Sequence, residues 1–396
     1  MKSNTKLATA ISAALFSVSS MSFAEVTLYD YTEATSSYED AYITGQFSAT
    51  DGNQGQSGYN ADLSLDLDRV YSSPNRNIST KLQAEGSVNR GTTKGVGSTS
   101  NYIVNGSVTA DNYFRPGSKG AFWYGSADAG VKKDAEDPFA KVGVGLGYGR
   151  VVNVTPMAKA IRLMEALRAQ GALKADPSKA TYQQVANIIS RESEYKSKYG
   201  AASYDQQWIT DIEKALVSSG QINGTMSAGA VIKTSDVLQN EFISTRKYGW
   251  LVRAGLGAVI SNYDGTDGGD PSLDLGAEYH RPLNNSTQLS NVASLSTIYG
   301  DGDAAYQVNN ALTLTHELTD KIDWENSWLL DYSKSGDSAI EDVTSNALSS
   351  TFRYYLDNQL DLTLTAKALK VDDGISNNGN DDVDTSLNMG VSYRLR

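Results

Sequence analysis

The sequence predicts an all-β transmembrane antiparallel β-barrel of about 14 strands (12–16), interrupted by a periplasmic α-helical insert. Three observations predict it. The C-terminus alternates with a strict two-residue period, the N-terminus has the pattern of a secretory leader, and the connections between strands alternate between short and long. A barrel strand exposes only every second residue to lipid, so the negative mean hydropathy does not argue against a membrane.

The clearest strand pattern in the sequence lies at its C-terminal end. Apolar side chains occupy one face of the segment, at Thr385, Leu387, Met389, Val391, Tyr393 and Leu395, while small or polar residues occupy the other. The order Asn388, Gly390, Tyr393 and Leu395 resembles the terminal assembly signal of outer-membrane β-barrels. The chain departs from that signal by ending on Leu395 and Arg396 rather than on Phe or Trp. On this segment alone, the edge strand of a soluble sandwich remains an alternative.

The N-terminus predicts a signal peptide over residues 1–24. Lys2 and Lys6 precede an apolar run that is too short to span a bilayer, and Ser22 and Ala24 form a small-x-small cleavage site. The chain has no Cys, which excludes a lipid-anchored Cys, a disulfide and a thiolate metal site. Its net charge is −12, and loss of the leader makes it about −14, which argues against a nucleic-acid partner.

Period-two patterns predict the strands. The clearest cover 62–68, 78–85, 273–280, 322–332 and 360–368, and weaker ones lie at 41–49, 102–111, 120–131, 142–150, 249–260, 287–299, 306–318 and 347–356. Short turns alternate with longer loops rich in Gly, Asp and Asn. Outer-membrane barrels have short periplasmic turns and longer external loops, whereas a soluble sandwich has no reason to alternate in this way.

The predicted organisation is a leader at 1–24, the first strands at 25–153, a helical insert at 154–247 and the remaining strands at 248–396. Within the insert we expect helices from an N-cap at Thr155 to Gly171, from 176 to 200 and from 203 to 220, with a short helix at 235–242 and the rest of 221–247 unassigned. The insert follows the sixth strand, so strand parity assigns it to the periplasm. It is either a decoration that caps one mouth or a docking or gating module.

The polar faces of the predicted strands supply the candidate lumen-lining residues. They are Asp62, Asp66, Asp68, Glu85, Arg253, Asp274, Glu278, Asp331, Lys367 and Arg394, accompanied by Lys81, Asp323, Glu325 and Arg353. Such charges either pair and fill a barrel or line a water channel. Because acids are in excess, we expect a pore to favour cations or neutral hydroxylated solutes.

Glycines recur on the inner faces of the two strands that flank the insert. Gly143, Gly145, Gly147 and Gly149 alternate in one strand, and Gly255 and Gly257 in the other. A nucleotide-binding loop is disfavoured because no helix with a free N-terminus follows at the required place. Two interpretations stay open: the glycines leave space inside the wall, or they ease tight curvature.

No enzyme, metal site or cofactor is predicted. The two histidines, His280 and His316, lie outside any nucleophile motif, and the acidic loops around Asp264 and Asp372 do not match a calcium-binding loop. The expected partners are outer-membrane lipid and lipopolysaccharide, the barrel-assembly machinery and a periplasmic export protein, with the cell outer membrane as the location.

The segments 153–160 and 246–250, together with a helical block inside a barrel, resemble barrels associated with exopolysaccharide export. The resemblance implies a channel or conduit that exports an acidic or neutral polysaccharide with a periplasmic partner that lacks its own membrane span. It implies no catalytic residue. A general diffusion porin and a non-channel structural or adhesive barrel remain as alternatives.

Overall fold

The computed structural model describes residues 26–32, 35–53, 55–265, 268–300, 302–357, 359–375 and 382–395. The predicted leader at 1–24 lies outside these residues, and so do parts of the acidic loops around Asp264 and Asp372.

Fourteen antiparallel strands form a closed barrel, which confirms the predicted fold class. Each strand pairs with its sequence neighbours, and β1 pairs with β14 to close the sheet. The strands are β1 (Ser36–Thr50), β2 (Gly58–Ser72), β3 (Arg76–Arg90), β4 (Thr99–Tyr113), β5 (Ala121–Lys132), β6 (Phe139–Asn153), β7 (Lys247–Ser261), β8 (Pro271–Asn284), β9 (Thr287–Ile298), β10 (Ala305–Thr319), β11 (Ile322–Lys334), β12 (Val343–Tyr355), β13 (Leu360–Asp372) and β14 (Asp384–Arg394).

The outer surface of the barrel is apolar. Met389 on β14 is 78% exposed and Leu256 on β7 is 68% exposed, and both belong to runs in which every second residue is apolar. Exposing such a surface to water would be unfavourable, whereas lipid solvates it. In addition, a closed sheet leaves no unpaired backbone edge in hydrocarbon. The chain is therefore a transmembrane barrel of the outer-membrane type. Among the described residues, no helix has the length and apolar character needed to cross a bilayer.

The two ends of the barrel differ. Strands β2–β3, β4–β5, β8–β9, β10–β11 and β12–β13 are joined at one end, which we term the short-turn end, and most of these joints span five residues or fewer. The start of β1 and the end of β14 lie at the same end. The helical block, residues 154–246 between β6 and β7, also emerges there.

Five helices build the helical block: α1 (Thr155–Ala169), α2 (Lys179–Ile189), α3 (Glu192–Tyr199), α4 (Tyr204–Ser218) and α5 (Ala228–Gln239). Their apolar stripes bury one another, and Trp208 sits fully buried in the centre, where its indole N–H donates to the carbonyl of Ile188 at 2.9 Å. This core belongs to the block itself, because it is built mainly from helix residues.

Three details of the predicted helices are wrong. Thr155 is the first helical residue, and Val154 occupies the N-cap position. The backbone N–H of Thr155 donates to the Asn153 side chain at 3.0 Å. The expected single helix over 176–200 is two helices, α2 and α3, which break at Ser190 and Arg191. Instead of a short helix at 235–242, α5 begins at Ala228, where the Ser227 hydroxyl caps it, and it ends at Gln239.

The segment that precedes β1 packs against the helical block. Leu28 and Tyr31 are buried in the core of the block, Lys179 donates to Asp30 at 2.9 Å, and the Thr32 backbone exchanges hydrogen bonds with Gln183. The N-terminal segment therefore ties the outside of the block to the barrel.

Candidate functional site: the lumen and its helical plug

Strand register determines which side chains face the lumen. Two residues that pair across neighbouring strands lie on the same face of the sheet. In the β2–β3 ladder, Asp62 pairs with Ser87, Asp66 with Gln83 and Asp68 with Lys81, and the same face can be followed from strand to strand around the barrel. By this register all ten predicted lumen candidates lie on the inner face: Asp62, Asp66, Asp68, Glu85, Arg253, Asp274, Glu278, Asp331, Lys367 and Arg394. They do not form one cluster. In one sector of the wall they pair with other charged side chains, and in another sector they face open space.

The two glycine-faced strands pair with each other. Gly145 lies opposite Gly255, and Gly143 lies opposite Gly257. Of the two open interpretations, free space inside the wall is wrong at Gly145, Gly147 and Gly255, because aromatic rings from β5 cover them. A Cβ on Gly145 would lie 2.6 Å from a ring carbon of Tyr124, and one on Gly147 would overlap the ring of Phe122. Phe122 is fully buried, so these glycines provide a recess for the rings and a close approach of β6 to β7.

Beside the rings, the charges of β4, β7 and β8 form a paired sector. Arg253 donates to Asp111 through Nη2 at 2.7 Å and Nε at 3.1 Å, and to Glu278 through Nη1 at 2.7 Å. Lys141 forms an ion pair with Asp274. The sequence reasoning did not single out Asp111 or Lys141, although their inward positions in β4 and β6 could have identified them. These pairs fill part of the lumen and hold its wall together.

The opposite sector is open. The side chains of Glu85, Asp331, Lys81 and Lys367 make no hydrogen bond or ion pair with any other residue that the structure describes. A space of about 520 Å³ lies against Asp62, Glu85 and Lys367. The side chains around it are mainly hydroxyls and amides, such as Thr44, Gln46, Ser64, Ser87, Asn101, Thr365 and Asn388. This arrangement leaves room for water and for hydroxylated solutes.

Residues 240–246, which we term the plug segment, contact the barrel wall at the short-turn end. Arg246 is fully buried and donates through Nη2 to Oε1 of Glu317 on β10 at 2.6 Å. Arg162 of α1 donates to the second oxygen of the same carboxylate at 2.9 Å. The Ser244 backbone N–H also donates to Glu317, at 3.1 Å. One carboxylate of the barrel wall thus joins a helix and the plug segment.

Aromatic contacts extend this attachment across the mouth. Phe242 stacks on Tyr355 of β12, with ring centroids 4.2 Å apart, and the guanidinium of Arg394 lies 5.1 Å from the Phe242 ring centroid. Arg394 also pairs with Asp40 of β1 at 2.9 Å. Arg394 therefore belongs to the short-turn mouth rather than to the open sector. A second space, of about 460 Å³, lies directly above Phe242, Ser244 and Thr245.

Lys159 of α1 lies in a small cavity of about 200 Å³ between the helical block and the wall. Its ammonium makes no hydrogen bond within the described residues. Burial lowers the pKa of this ammonium below the usual 10.5, while the nearby charge of Glu192 opposes that shift. The pKa of Glu192 is lowered: burial raises it, but the hydrogen bond from Lys196 and the charge of Lys159 outweigh burial. The cavity thus contains a charge that the fold accommodates poorly.

His280 is the group closest to catalytic chemistry. Its Nδ1 lies 2.9 Å from the Ser290 hydroxyl, and its Nε2 lies 3.4 Å from Glu278. The carboxylate of Glu278 is already bound by Arg253, and the Ser290 hydroxyl accepts from the Gln288 amide at 3.3 Å. The contacts are those of a cross-strand polar network. Within the described ranges no cluster of three or more His, Asp or Glu is arranged to hold a metal ion.

Comparisons with known proteins assign no activity to the chain. Residues 238–354 match a family model described as "Protein of unknown function, DUF481", which covers less than half of the chain. No curated protein is detectably similar.

Among solved structures, CdiB from Escherichia coli aligns at 8% identity with a TM-score of 0.39, covering 90% of this chain and 63% of CdiB. The CymD monoaromatic hydrocarbon channel aligns at 11% identity (TM-score 0.30; 91% and 88% covered). A bacterial polysaccharide outer membrane secretin aligns at 9% (TM-score 0.27; 90% and 98% covered). At these scores the similarities carry no functional argument.

Proposed function

We propose that this chain is a gated outer-membrane conduit whose short-turn end faces the periplasm and whose helical block controls entry to the lumen. One observation carries the proposal: a separately packed helical domain is fastened into one mouth of the barrel, directly below an open, polar sector of the lumen. A barrel that served only as a scaffold would not need an open, polar sector of the lumen behind a closed short-turn end. A general diffusion porin would not keep that mouth closed.

The specific cargo that we propose is a polysaccharide passed on by a periplasmic export partner. Hydroxyl and amide side chains of the open sector suit the hydroxyl groups of a sugar chain. Among the predicted lumen residues, carboxylates without a cationic partner (Asp62, Asp66, Glu85 and Asp331) outnumber lysines without an anionic partner (Lys81 and Lys367), so a neutral or cationic polymer fits better than an acidic one.

The partner would bind the exposed sides of α1, α2 and α3, because their buried sides are used by the core of the block. Binding there would shift the block and withdraw the plug segment from Glu317. The conduit needs no catalytic residue and no cofactor.

The test is a deletion of the gene in its own host, with polymer measured separately at the cell surface and in the periplasm. We expect surface polysaccharide to fall and periplasmic polymer to rise, and both to recover when the intact chain is supplied. Unchanged surface polymer would remove the export proposal. The structural barrel, which the paired sector around Arg253 favours, would then be the better account.

A further inference from the structure

Four neighbouring strands carry asparagines on the outer face of the barrel. The residues, which we term the asparagine band, are Asn291 on β9, Asn310 on β10, Asn326 on β11 and Asn346 on β12. Their outward position follows from the register. Asn310 pairs with Leu330, while the adjacent Asn309 pairs with the lumen-facing Asp331.

The band lies at the depth of the hydrocarbon. On β11 the outward residues run from Trp324 through Asn326 to Trp328 and then to Tyr332 near the far end. Asn310 is nine residues from the end of β10 at Thr319, which at about 2.5 Å per tilted residue places it roughly 20 Å from the short-turn end. On β11 the Asn326 amide therefore lies between Trp324 and Trp328, inside the lipid-facing surface rather than at its edge.

The hydrogen bonding of the band is incomplete within one chain. Asn291 donates to the Asn310 side-chain oxygen at 3.0 Å, and the Trp328 indole donates to Asn346 at 3.4 Å. The Asn326 side chain makes no hydrogen bond to any residue in the described part of the chain, and the amide N–H groups of Asn310 and Asn346 find no acceptor there. Lipid tails can supply none.

The rest of the wall does not share this feature. On β14 the outward positions are Leu387, Met389, Val391 and Tyr393, and on β6 they are Val142, Val144, Leu146 and Tyr148. A requirement common to the whole lipid-facing surface therefore does not explain the asparagines. They point to a local protein contact.

We propose that the asparagine band is the interface through which two copies of this chain associate in the membrane. Primary amides both donate and accept, so the same patch on a second copy, related by a twofold axis, satisfies the free groups of the first. Water is absent at this depth. Lipopolysaccharide sugars lie at the far leaflet surface, away from Asn291 and Asn326, which are each four residues from the short-turn start of their strands.

The test uses the absence of native cysteine, which leaves no background thiols. Leu330 lies between Asn310 and Asn346 in the ladder, so Leu330→Cys keeps all four amides. The full-length variant, in native outer membranes, is treated with a short bifunctional maleimide. We expect a covalent dimer at several times the level given by Val104→Cys, an outward position on β4, across the barrel from β11.

Adding Asn310→Leu and Asn346→Leu to the Leu330→Cys variant should lower the dimer yield at least about fivefold, with normal heat-modifiable migration showing that the barrel is folded. Adding Thr80→Leu, a polar-to-apolar change at an outward position of β3, should leave the yield unchanged. An equal yield from the Cys variants at 330 and 104, an unchanged yield without the amides, or cross-linking of residue 330 to a different polypeptide would each overturn the proposal.

Discussion

Arg246 and Glu317 connect the helical block to the barrel wall through a hydrogen-bonded ion pair of 2.6 Å in which the side chains are 0% and 3% exposed. The two residues are 71 apart in sequence, and the pair joins the plug segment to strand β10. Burying an ion pair gives little net stability, but leaving one member behind unpaired is strongly unfavourable. The pair therefore makes the seated position of the block specific.

Replacing Glu317 with Gln should loosen the block without unfolding the barrel. The change leaves Arg246 and Arg162 without their shared carboxylate, at a cost of about 3–5 kcal/mol. We expect trypsin to cut within the block more than about tenfold faster while the barrel stays folded. The matched control is the double variant Arg246→Met/Glu317→Met, which removes the buried pair and leaves Arg162 its second partner, Glu241, at 3.4 Å. Equal cleavage of the wild type and Glu317→Gln would show that the pair does not hold the block.

Gly145→Ala should impair assembly. The added methyl group would lie 2.6 Å from Tyr124 and closer still to the backbone of β7, so a ring or a strand has to move, at about 1–3 kcal/mol. Gly45→Ala is the control, because its nearest neighbour, a Leu63 methyl group, would be 3.9 Å away. Folded yield from heat-modifiable gel migration is the measurement. Equal yields for the two variants would contradict the tight packing of rings on the glycine strands.

Lys159→Met should stabilise the helical block at neutral pH by about 1 kcal/mol, measured by urea unfolding followed at 222 nm. Burial lowers the pKa of Lys159, so its charge costs stability below the folded pKa, and that cost fades as pH rises toward 10.5. The advantage of the variant should therefore shrink at high pH. Lys198→Met, at an exposed position in the same block, should show neither effect. A loss of stability at pH 7 would mean that the Lys159 ammonium is well solvated in its cavity.

Asp62→Asn, Asp66→Asn and Asp331→Asn together should reduce cation preference in a barrel that lacks the block, because they remove carboxylates from the open sector. We expect the cation-to-anion permeability ratio, read from the reversal potential in a salt gradient, to fall at least about twofold. Asp274 is unsuitable for this test because it pairs with Lys141. Asp320→Asn, in the β10–β11 turn, should leave the ratio unchanged. A ratio unaffected by the triple change would place the permeation path elsewhere.

The sequence was sufficient to predict the strands because a wall with lipid on one side and water on the other imposes a period of two. Asp62 through Asp68 and the run from Leu387 to Tyr393 show that period directly. The sequence could not predict which inward charges pair: Arg253 meets Asp111 from a strand that is distant in sequence, and Lys141 meets Asp274 in the same way.

The role of the plug segment could not be predicted from the sequence either. Residues 240–246 have no regular secondary structure and no periodic pattern, and their role depends on Glu317 and Tyr355 of distant strands. Similarly, the glycines of β6 indicated a bare inner face, but only the position of Phe122 and Tyr124 shows that the face is covered.

We infer that the helical block closes a lumen that is otherwise open. Asn153 and Lys247 are paired neighbours in the β6–β7 ladder, so residues 154–246 can be replaced by Asn-Gly in a two-residue hairpin turn. The decisive measurement is the single-channel conductance of the purified barrel in planar bilayers, with and without the block. We predict a closed full-length chain and a steadily conducting, cation-preferring barrel after the replacement. Equal conductance of the two, or silence in both when each is shown to be folded, would contradict the account.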